Sequence, residues 1–228
     1  MSICNKKQIL VFANKNALYE NKIFKYVYII TQLSKMIHNK YFEIMTQYVG
    51  DLNKKWHGRG LAKRISLSQK ATALALKNLK KENLLKSEKK GNMKNYYINT
   101  KNPEIKDTIK IVEIMRKIRF LRKHKKLREI FGEDKRIVGI FGSYAKEEQT
   151  EESDLDVFII GDQKKEDYDE LGNMFDLEVR IKYFTETQFK KLLKEKNNLF
   201  KEIVQYHILI FGTENFIDTV WSNYYGFD

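Results

Sequence analysis

One short motif constrains the fold of this chain more than any other feature of its sequence. Gly142-Ser143 is followed, after ten further residues, by Asp154-Leu155-Asp156. Apolar runs at residues 137–141 and 157–160 lie on either side of the motif. Short apolar runs bounded by a glycine turn are typical of buried strands. The motif therefore predicts a strand, a glycine turn, a charged connection and a second strand.

The two aspartates of the motif lie two positions apart, and alternate residues of a strand face the same side of a sheet. Asp154 and Asp156 should therefore place two carboxylates side by side, where their charges repel unless a cation joins them. Such oxygen ligands favour Mg²⁺, which commonly takes one or two carboxylates together with substrate phosphates. Gly142 permits a close approach of the backbone, and Ser143 offers a hydroxyl and an N–H to a phosphate.

This motif, with Ala145 and Ser153 beside it, resembles the signature of the DNA polymerase β-like nucleotidyltransferase superfamily and its small members. The resemblance covers roughly residues 104–215. It implies transfer of a nucleoside monophosphate from a nucleoside triphosphate, with ATP as the expected one, to a protein or nucleic-acid acceptor. It also implies Mg²⁺ (or Mn²⁺) on Asp154 and Asp156, with the nucleotide phosphates on Gly142 and Ser143.

Active members of that family carry a third carboxylate on a neighbouring strand. In the predicted strand 177–184, the family position falls on Lys182. Glu178 lies on the same face, about 13 Å earlier along the strand. It is the candidate third catalytic acid beside Asp154 and Asp156; the alternative is a solvated residue paired with Arg180. Whether the site turns over its nucleotide is left open, although the predicted site favours an Mg²⁺-dependent enzyme.

Charge is distributed unevenly along the chain. Residues 1–136 hold 33 basic and 11 acidic residues, whereas residues 137–228 hold 10 basic and 19 acidic residues. A strongly basic half suggests a polyanion partner such as nucleic acid.

The single cysteine, Cys4, excludes an internal disulfide and fits a reducing cytoplasm. No apolar run approaches the ~20 residues of a membrane span, so we expect a cytoplasmic protein without a membrane partner.

Residues 41–100 show three helical patterns followed by a hairpin with a lysine-bearing tip. Ser68 is a good N-cap for the third helix, whose predicted apolar stripe is Ala71, Leu74, Ala75 and Leu79. This order resembles the winged helix-turn-helix of prokaryotic transcription regulators, which implies binding to double-stranded DNA with the third helix in the major groove. The alternative is a docking module for protein. Expected base contacts are Ser68, Gln69, Lys70 and Thr72, and expected phosphate contacts are Lys77, Lys89, Lys90 and Lys94.

The predicted fold class is therefore α+β. A winged helix-turn-helix domain (41–100) precedes an α/β nucleotidyltransferase domain with a small mixed sheet (104–228), and the role of the extension 1–40 is not indicated. Pro103 lies in the linker. One continuous helix is expected from Glu104 to about Phe131. The aromatic tail after Asp218 needs a surface to bury against, either a domain interface or a homodimer contact.

Three functions remain open at this level. The first is an active nucleotidyltransferase, acting on an acceptor such as a small partner toxin. The second is a transcription regulator whose nucleotidyltransferase-like domain binds nucleotide without turnover, which Lys182 at the third acid position favours. The third is an interaction protein that keeps only the fold.

Overall fold

The computed structural model describes residues 39–163 and 168–227. Backbone contacts divide the chain into two compact units, Met1–Glu43 and Ile44–Asp228. Of the first unit only residues 39–43 are described, and they are helical. The predicted extension 1–40 thus lies outside the described residues, apart from its last two positions. Within the described ranges, no helix is both long and apolar enough to cross a membrane.

Up to residue 98, the described chain consists of short helices and the strands of an antiparallel sheet. Its three strands are ordered β1-β3-β2. Tyr48, which follows the first helix, contacts this sheet: its hydroxyl donates to the Tyr96 carbonyl at 3.0 Å. The elements are α1 (Asn39–Thr46), β1 (Trp56–His57), α2 (Gly58–Arg64), α3 (Gln69–Lys81), β2 (Leu85–Lys90) and β3 (Met93–Ile98).

Helix α3 begins as expected but buries a different stripe. The Ser68 hydroxyl accepts from the Ala71 N–H at 3.1 Å, which confirms the predicted cap. The buried side chains are Thr72, Ala75, Leu76 and Leu79, at the i, i+3, i+4, i+7 spacing of one helix face. Leu74 was predicted in the stripe but is 51% exposed. Hydrophobicity alone favoured the leucine, whereas the packed face accommodates the smaller threonine.

The elements after residue 104 surround the second sheet. The helix expected to run unbroken to about Phe131 is interrupted at His124, whose φ of −111° and ψ of 71° are not helical. The elements are α4 (Ile105–Lys123), α5 (Lys125–Ile130), β4 (Ile137–Ile140), α6 (Gly142–Lys146), β5 (Leu155–Ile160), α7 (Tyr168–Asn173), β6 (Val179–Phe184), α8 (Glu186–Lys194), α9 (Asn198–Gln205), β7 (Ile208–Phe211) and α10 (Thr213–Asn223).

This second sheet is mixed and is covered on both faces. Its strand order is β6-β5-β4-β7, with β5 parallel to β6 and antiparallel to β4. Val157 and Ile159 belong to a core cluster with Phe120 and Ile130, whereas Phe158 packs on the other face against Phe216, with ring centroids 5.8 Å apart. Burial of both faces explains why β4 and β5 are almost continuously apolar.

A buried carboxylate on α4 contacts the residue before β7. The Glu113 carboxylate, 1% exposed, lies 2.8 Å from Arg116 Nη1 and 3.0 Å from His207 Nε2. The other ring nitrogen of His207 faces the Ile203 carbonyl at 2.8 Å. Burial acts to raise the pKa of Glu113, but Arg116 and His207 hold it below its ordinary value. The carboxylate is therefore a structural anion within this core.

The aromatic tail packs against residues Gly50–Leu52. Tyr225 donates its hydroxyl hydrogen to the Gly50 carbonyl at 3.1 Å and accepts from the Leu52 N–H at 3.2 Å. Gly50 has a φ of +86°, and a Cβ at this position would overlap the Gln205 carbonyl oxygen at the end of α9. Trp221 is 4% exposed. The surface that the tail requires is therefore supplied within the unit Ile44–Asp228.

Candidate functional site

The glycine turn and the second aspartate of the motif pack directly on each other. Phe141, the last residue before α6, donates its N–H to the Asp156 carbonyl at 3.0 Å. Gly142 follows with a φ of +68°, and a Cβ there would overlap Oδ2 of Asp156. Only glycine combines this backbone conformation with this approach. Ser143 comes next and is half-buried. The glycine turn and Asp156, which lie in the two halves of the sequence motif, are therefore in direct contact.

The parallel register of β5 and β6 determines what faces the two aspartates. Leu155 is paired with Val179 and Asp156 with Arg180. The Leu155 N–H donates to the Glu178 carbonyl at 2.8 Å. Since paired residues of neighbouring strands share a face, the even-numbered residues of β6 lie beside the aspartates. Arg180 and Lys182, on that face of β6, carry positive charges, and Glu178, just before the strand, carries a negative one.

Arg180 joins the two strands through its guanidinium. Its Nη1 lies 2.7 Å from Oδ2 of Asp154, and its Nε donates to Oε1 of Glu178 at 3.0 Å. The Arg180 side chain is 59% exposed and that of Asp154 is 27% exposed. Asp154 and Glu178 are thus held by the same cation, which the strand alternation alone did not reveal.

The ionisation of Asp156 reflects its crowded position. Burial raises the pKa of the Asp156 carboxyl, and the neighbouring Asp154 charge raises it further. Arg180 and Lys182 act in the opposite direction without cancelling the rise. The negative form of Asp156 is therefore held at a cost in the folded protein, which a bound cation would relieve.

The predicted third carboxylate is not gathered with the other two. Lys182, at the position that the resemblance gives to an acid, is paired with Phe158, one step of the face beyond Asp156. Glu178 is exposed and engaged by Arg180. Among residues 39–163 and 168–227, no group of three or more His, Cys, Asp or Glu side chains could hold a metal ion. The catalytic role of Glu178 stays a prediction.

A contact that sequence reasoning missed supports the turn from behind. Lys146, in the last turn of α6, lies 2.6 Å from Oε1 of Glu202 on α9. The hydrogen bond to Glu202 raises the pKa of Lys146. The two residues are 56 positions apart in sequence, so no local pattern could have linked them.

The residues predicted to contact DNA fall into two groups. Thr72 is fully buried in α3, which corrects its expected role as a base contact, because its side chain does not reach the surface. The Ser68 hydroxyl is engaged in the helix cap. The other predicted contacts are exposed at the start of α3 and along it, or around the tip of the β2–β3 hairpin: Gln69, Lys70, Lys77, Lys89, Lys90 and Lys94.

Comparison with known proteins assigns one part of the chain. Residues 125–215 match the family model described as polymerase beta, nucleotidyltransferase. The matched segment runs from α5 into α10 and includes the whole second sheet with the Gly142 turn and both aspartates. A search of curated proteins gave no significant match, and neither did a search of solved structures. The match supports a nucleotidyltransferase-like domain in this segment.

Proposed function

We propose that this protein transfers a nucleoside monophosphate from a nucleoside triphosphate to an acceptor. One observation carries the proposal: Gly142 is packed on Asp156 of β5, and Asp154 lies two residues earlier, immediately before that strand. This arrangement leaves backbone and Ser143 free to approach a phosphate beside two carboxylates. The match of residues 125–215 to the nucleotidyltransferase family supports the same chemistry.

The donor set fits a divalent cation. Two carboxylate oxygens crowded by burial and by each other, with substrate phosphates completing the shell, suit Mg²⁺ or Mn²⁺. Asp154 and Asp156 would hold the ion, which when bound would neutralise charge on the transferred phosphoryl group and its leaving group. The close fit of Gly142 against Asp156 is consistent with this, because a larger residue would displace the carboxylate.

The protein's own residues would then bind and orient the nucleotide. The backbone at Gly142 and the hydroxyl and N–H of Ser143 would hold the triphosphate in line with the acceptor. An acceptor oxygen would attack the α-phosphorus, the bond from that phosphorus to the bridging oxygen would break, pyrophosphate would leave, and the acceptor proton would pass to solvent. ATP is the first nucleotide to test.

We further propose that residues 41–100 form a winged helix-turn-helix that binds double-stranded DNA. The order α1, β1, α2, α3 and a β2–β3 hairpin supports this reading, with α3 as the recognition helix and the hairpin as the wing. Gln69, Lys70 and Lys77 are exposed on α3, and the hairpin tip presents Lys89 and Lys90. A basic surface of this kind suits phosphate contacts.

A second candidate function is a DNA-binding regulator that binds nucleotide without turnover. Lys182 at the position of the family's third acid favours it, and the Arg180 guanidinium, 2.7 Å from Asp154, adds a second positive charge beside the aspartates. Under this proposal, the nucleotide would be an effector that changes affinity for DNA.

Label transfer separates the two functions. Purified protein is incubated with Mg²⁺ and each α-³²P-labelled nucleoside triphosphate, with DNA, RNA and candidate proteins as acceptors. Label on an acceptor that is lost in Asp154→Asn supports the transferase. Nucleotide binding that requires Asp154 but gives no transfer supports the regulator. Nucleotide binding that survives Asp154→Asn combined with Asp156→Asn contradicts both.

A further inference from the structure

We propose that Arg180 competes with a divalent cation for the Asp154 carboxylate, and that a nucleoside triphosphate relieves this competition by drawing Arg180 onto its phosphates. The inference rests on the proposed nucleotide site and concerns its regulation. It makes metal binding dependent on nucleotide, so that the site acquires its cation together with substrate rather than before it.

Arg180 and Asp154 form a close ion pair. Arg180 Nη1 is 2.7 Å from Asp154 Oδ2, the distance of a strong charge-assisted hydrogen bond. An arginine guanidinium does not lose its proton in a protein, so its positive charge is permanent. A cation arriving at Asp154 must therefore share the carboxylate with a fixed positive charge or displace it.

The neighbours of the Arg180 guanidinium direct its charge toward the aspartates. Arg180 is opposite Asp156 in the strand register, so its charge is directed at both members of the aspartate pair. The Nε of Arg180 donates to Glu178 at 3.0 Å, which favours the position of the guanidinium beside Asp154. Glu178 is in this view a positioning residue that acts through Arg180, rather than a third ligand.

A nucleotide would offer Arg180 an alternative partner to Asp154. The Arg180 side chain is 59% exposed, which leaves it able to turn toward a bound ligand. Guanidinium groups bind phosphate oxygens in a two-pronged geometry that matches carboxylate binding. A triphosphate, with several negative charges, is a stronger acceptor than one partly exposed aspartate. Transfer of Arg180 to the phosphates would release Asp154 for the metal.

The test measures metal binding without nucleotide. Free Mn²⁺ is followed by electron paramagnetic resonance in the full chain, in Arg180→Gln and in Lys182→Gln. Lys182 is the matched control, because it lies on the same strand and face and acts on Asp156, but does not contact Asp154. Arg180→Gln should bind Mn²⁺ about 1.5-fold to fivefold more tightly, the size of one partly exposed ion pair, and Lys182→Gln should change it less. Arg180→Lys should fall between wild type and Arg180→Gln.

Adding a non-hydrolysable nucleoside triphosphate should raise Mn²⁺ affinity at the protein in wild type more than in Arg180→Gln. Unchanged Mn²⁺ affinity in Arg180→Gln, or an increase equal to that of Lys182→Gln, would overturn the inference. Asp154→Asn in the Arg180→Gln background separates this failure from failure of the site itself. Mn²⁺ binding that is independent of Asp154 would contradict the proposed metal site, whichever way Arg180 behaves.

The role of Glu178 is tested by a double-mutant cycle. If Glu178 acts only through Arg180, Glu178→Gln alters Mn²⁺ affinity in the wild-type background and has no effect once Arg180 is glutamine. A loss of Mn²⁺ affinity of similar size in both backgrounds would make Glu178 a ligand and overturn its positioning role.

Discussion

Gly142 and Asp156 fit together without room for a side chain between them. The glycine has a φ of +68°, and a Cβ built on it would overlap the Oδ2 atom of the aspartate. The turn that would receive a phosphate and the carboxylate that would hold a cation are therefore one packed arrangement, and a side chain added to the glycine would displace the carboxylate.

We expect Gly142→Ala to lower affinity for Mn²⁺ and nucleotide and to destabilise the fold. Gly91→Ala is the matched control, because Gly91 also has a positive φ, +59°, but nothing within 4 Å of its missing Cβ. Both changes carry the backbone cost of roughly 1–2 kcal/mol for a left-handed residue, and only Gly142→Ala adds the overlap. Urea unfolding and nucleotide titration measure the two effects. Equal losses of stability in the two variants would contradict the packing argument.

Asp156→Asn should make the protein more stable at neutral pH while removing metal binding. The pKa of Asp156 is raised by burial and by Asp154, so its ionised form opposes folding above that pKa. We expect a gain of up to about 1 kcal/mol, because the group is partly exposed. The gain should shrink as the pH falls through the folded-state pKa and the wild-type carboxyl becomes neutral. A thermal unfolding series against pH checks this; destabilisation at neutral pH would contradict it.

Asp134→Asn should have the opposite effect. Asp134, 3% exposed, lies 2.7 Å from Arg136 Nη2 and accepts from the Tyr168 hydroxyl at 2.6 Å. These hydrogen bonds outweigh burial and hold the pKa of Asp134 far below its ordinary value. Its stabilising effect is present above the unfolded-state pKa and is lost as the pH falls through the folded-state pKa. The substitution should cost about 3 kcal/mol at neutral pH and less in acid. The same unfolding series measures it, and a pH-independent loss would argue against the charge.

Tyr225→Phe should loosen the contact between the aromatic tail and residues Gly50–Leu52. The change removes a donor to the Gly50 carbonyl and an acceptor for the Leu52 N–H. Leaving these groups unpaired should cost about 1–3 kcal/mol. Tyr224→Phe is the control, because its ring packs edge-on against Tyr225 but its hydroxyl forms neither hydrogen bond. Hydrogen exchange at Leu52 should increase only in Tyr225→Phe.

Lys89→Glu combined with Lys90→Glu should weaken binding to duplex DNA by a similar factor for all sequences. Both side chains are exposed near the hairpin tip, and loss of about two phosphate contacts should reduce the dependence of log affinity on log salt by about 2. Lys190→Glu with Lys191→Glu on α8 makes the same change of net charge elsewhere. Fluorescence anisotropy at several salt concentrations measures both. If the two double variants weaken DNA binding equally, the binding depends on the net charge of the protein and not on the hairpin.

The parts of the fold that depend on local pattern were predictable from sequence. The Gly142 turn, the two flanking strands and the Ser68 cap follow from short-range signals and are confirmed. Thr185 also caps α8, where its hydroxyl accepts from the Gln188 N–H at 3.2 Å.

What could not be predicted depends on contacts between distant residues. The register of β6 against β5, which brings Arg180 to Asp154, is set by how two strands pair and not by either strand alone. The same holds for Glu113, a helix residue whose burial follows from His207, 94 positions later. The predicted buried stripe included Leu74, but Thr72 is buried and Leu74 is exposed. The orientation of the helix, rather than the hydrophobicity of a residue, therefore decides which side chain is covered.

The last turn of α9 has a consequence for how the chain can be divided. Glu202 lies 2.6 Å from Lys146 at the end of α6, and three residues later the Gln205 carbonyl packs against Gly50. One helical turn, about 5 Å long, thus contacts both the helix that begins at Gly142 and the segment that leads into β1. A polypeptide cut at Pro103 would separate Gly50 from the helix that covers it, so this helical turn links the two parts of the unit Ile44–Asp228.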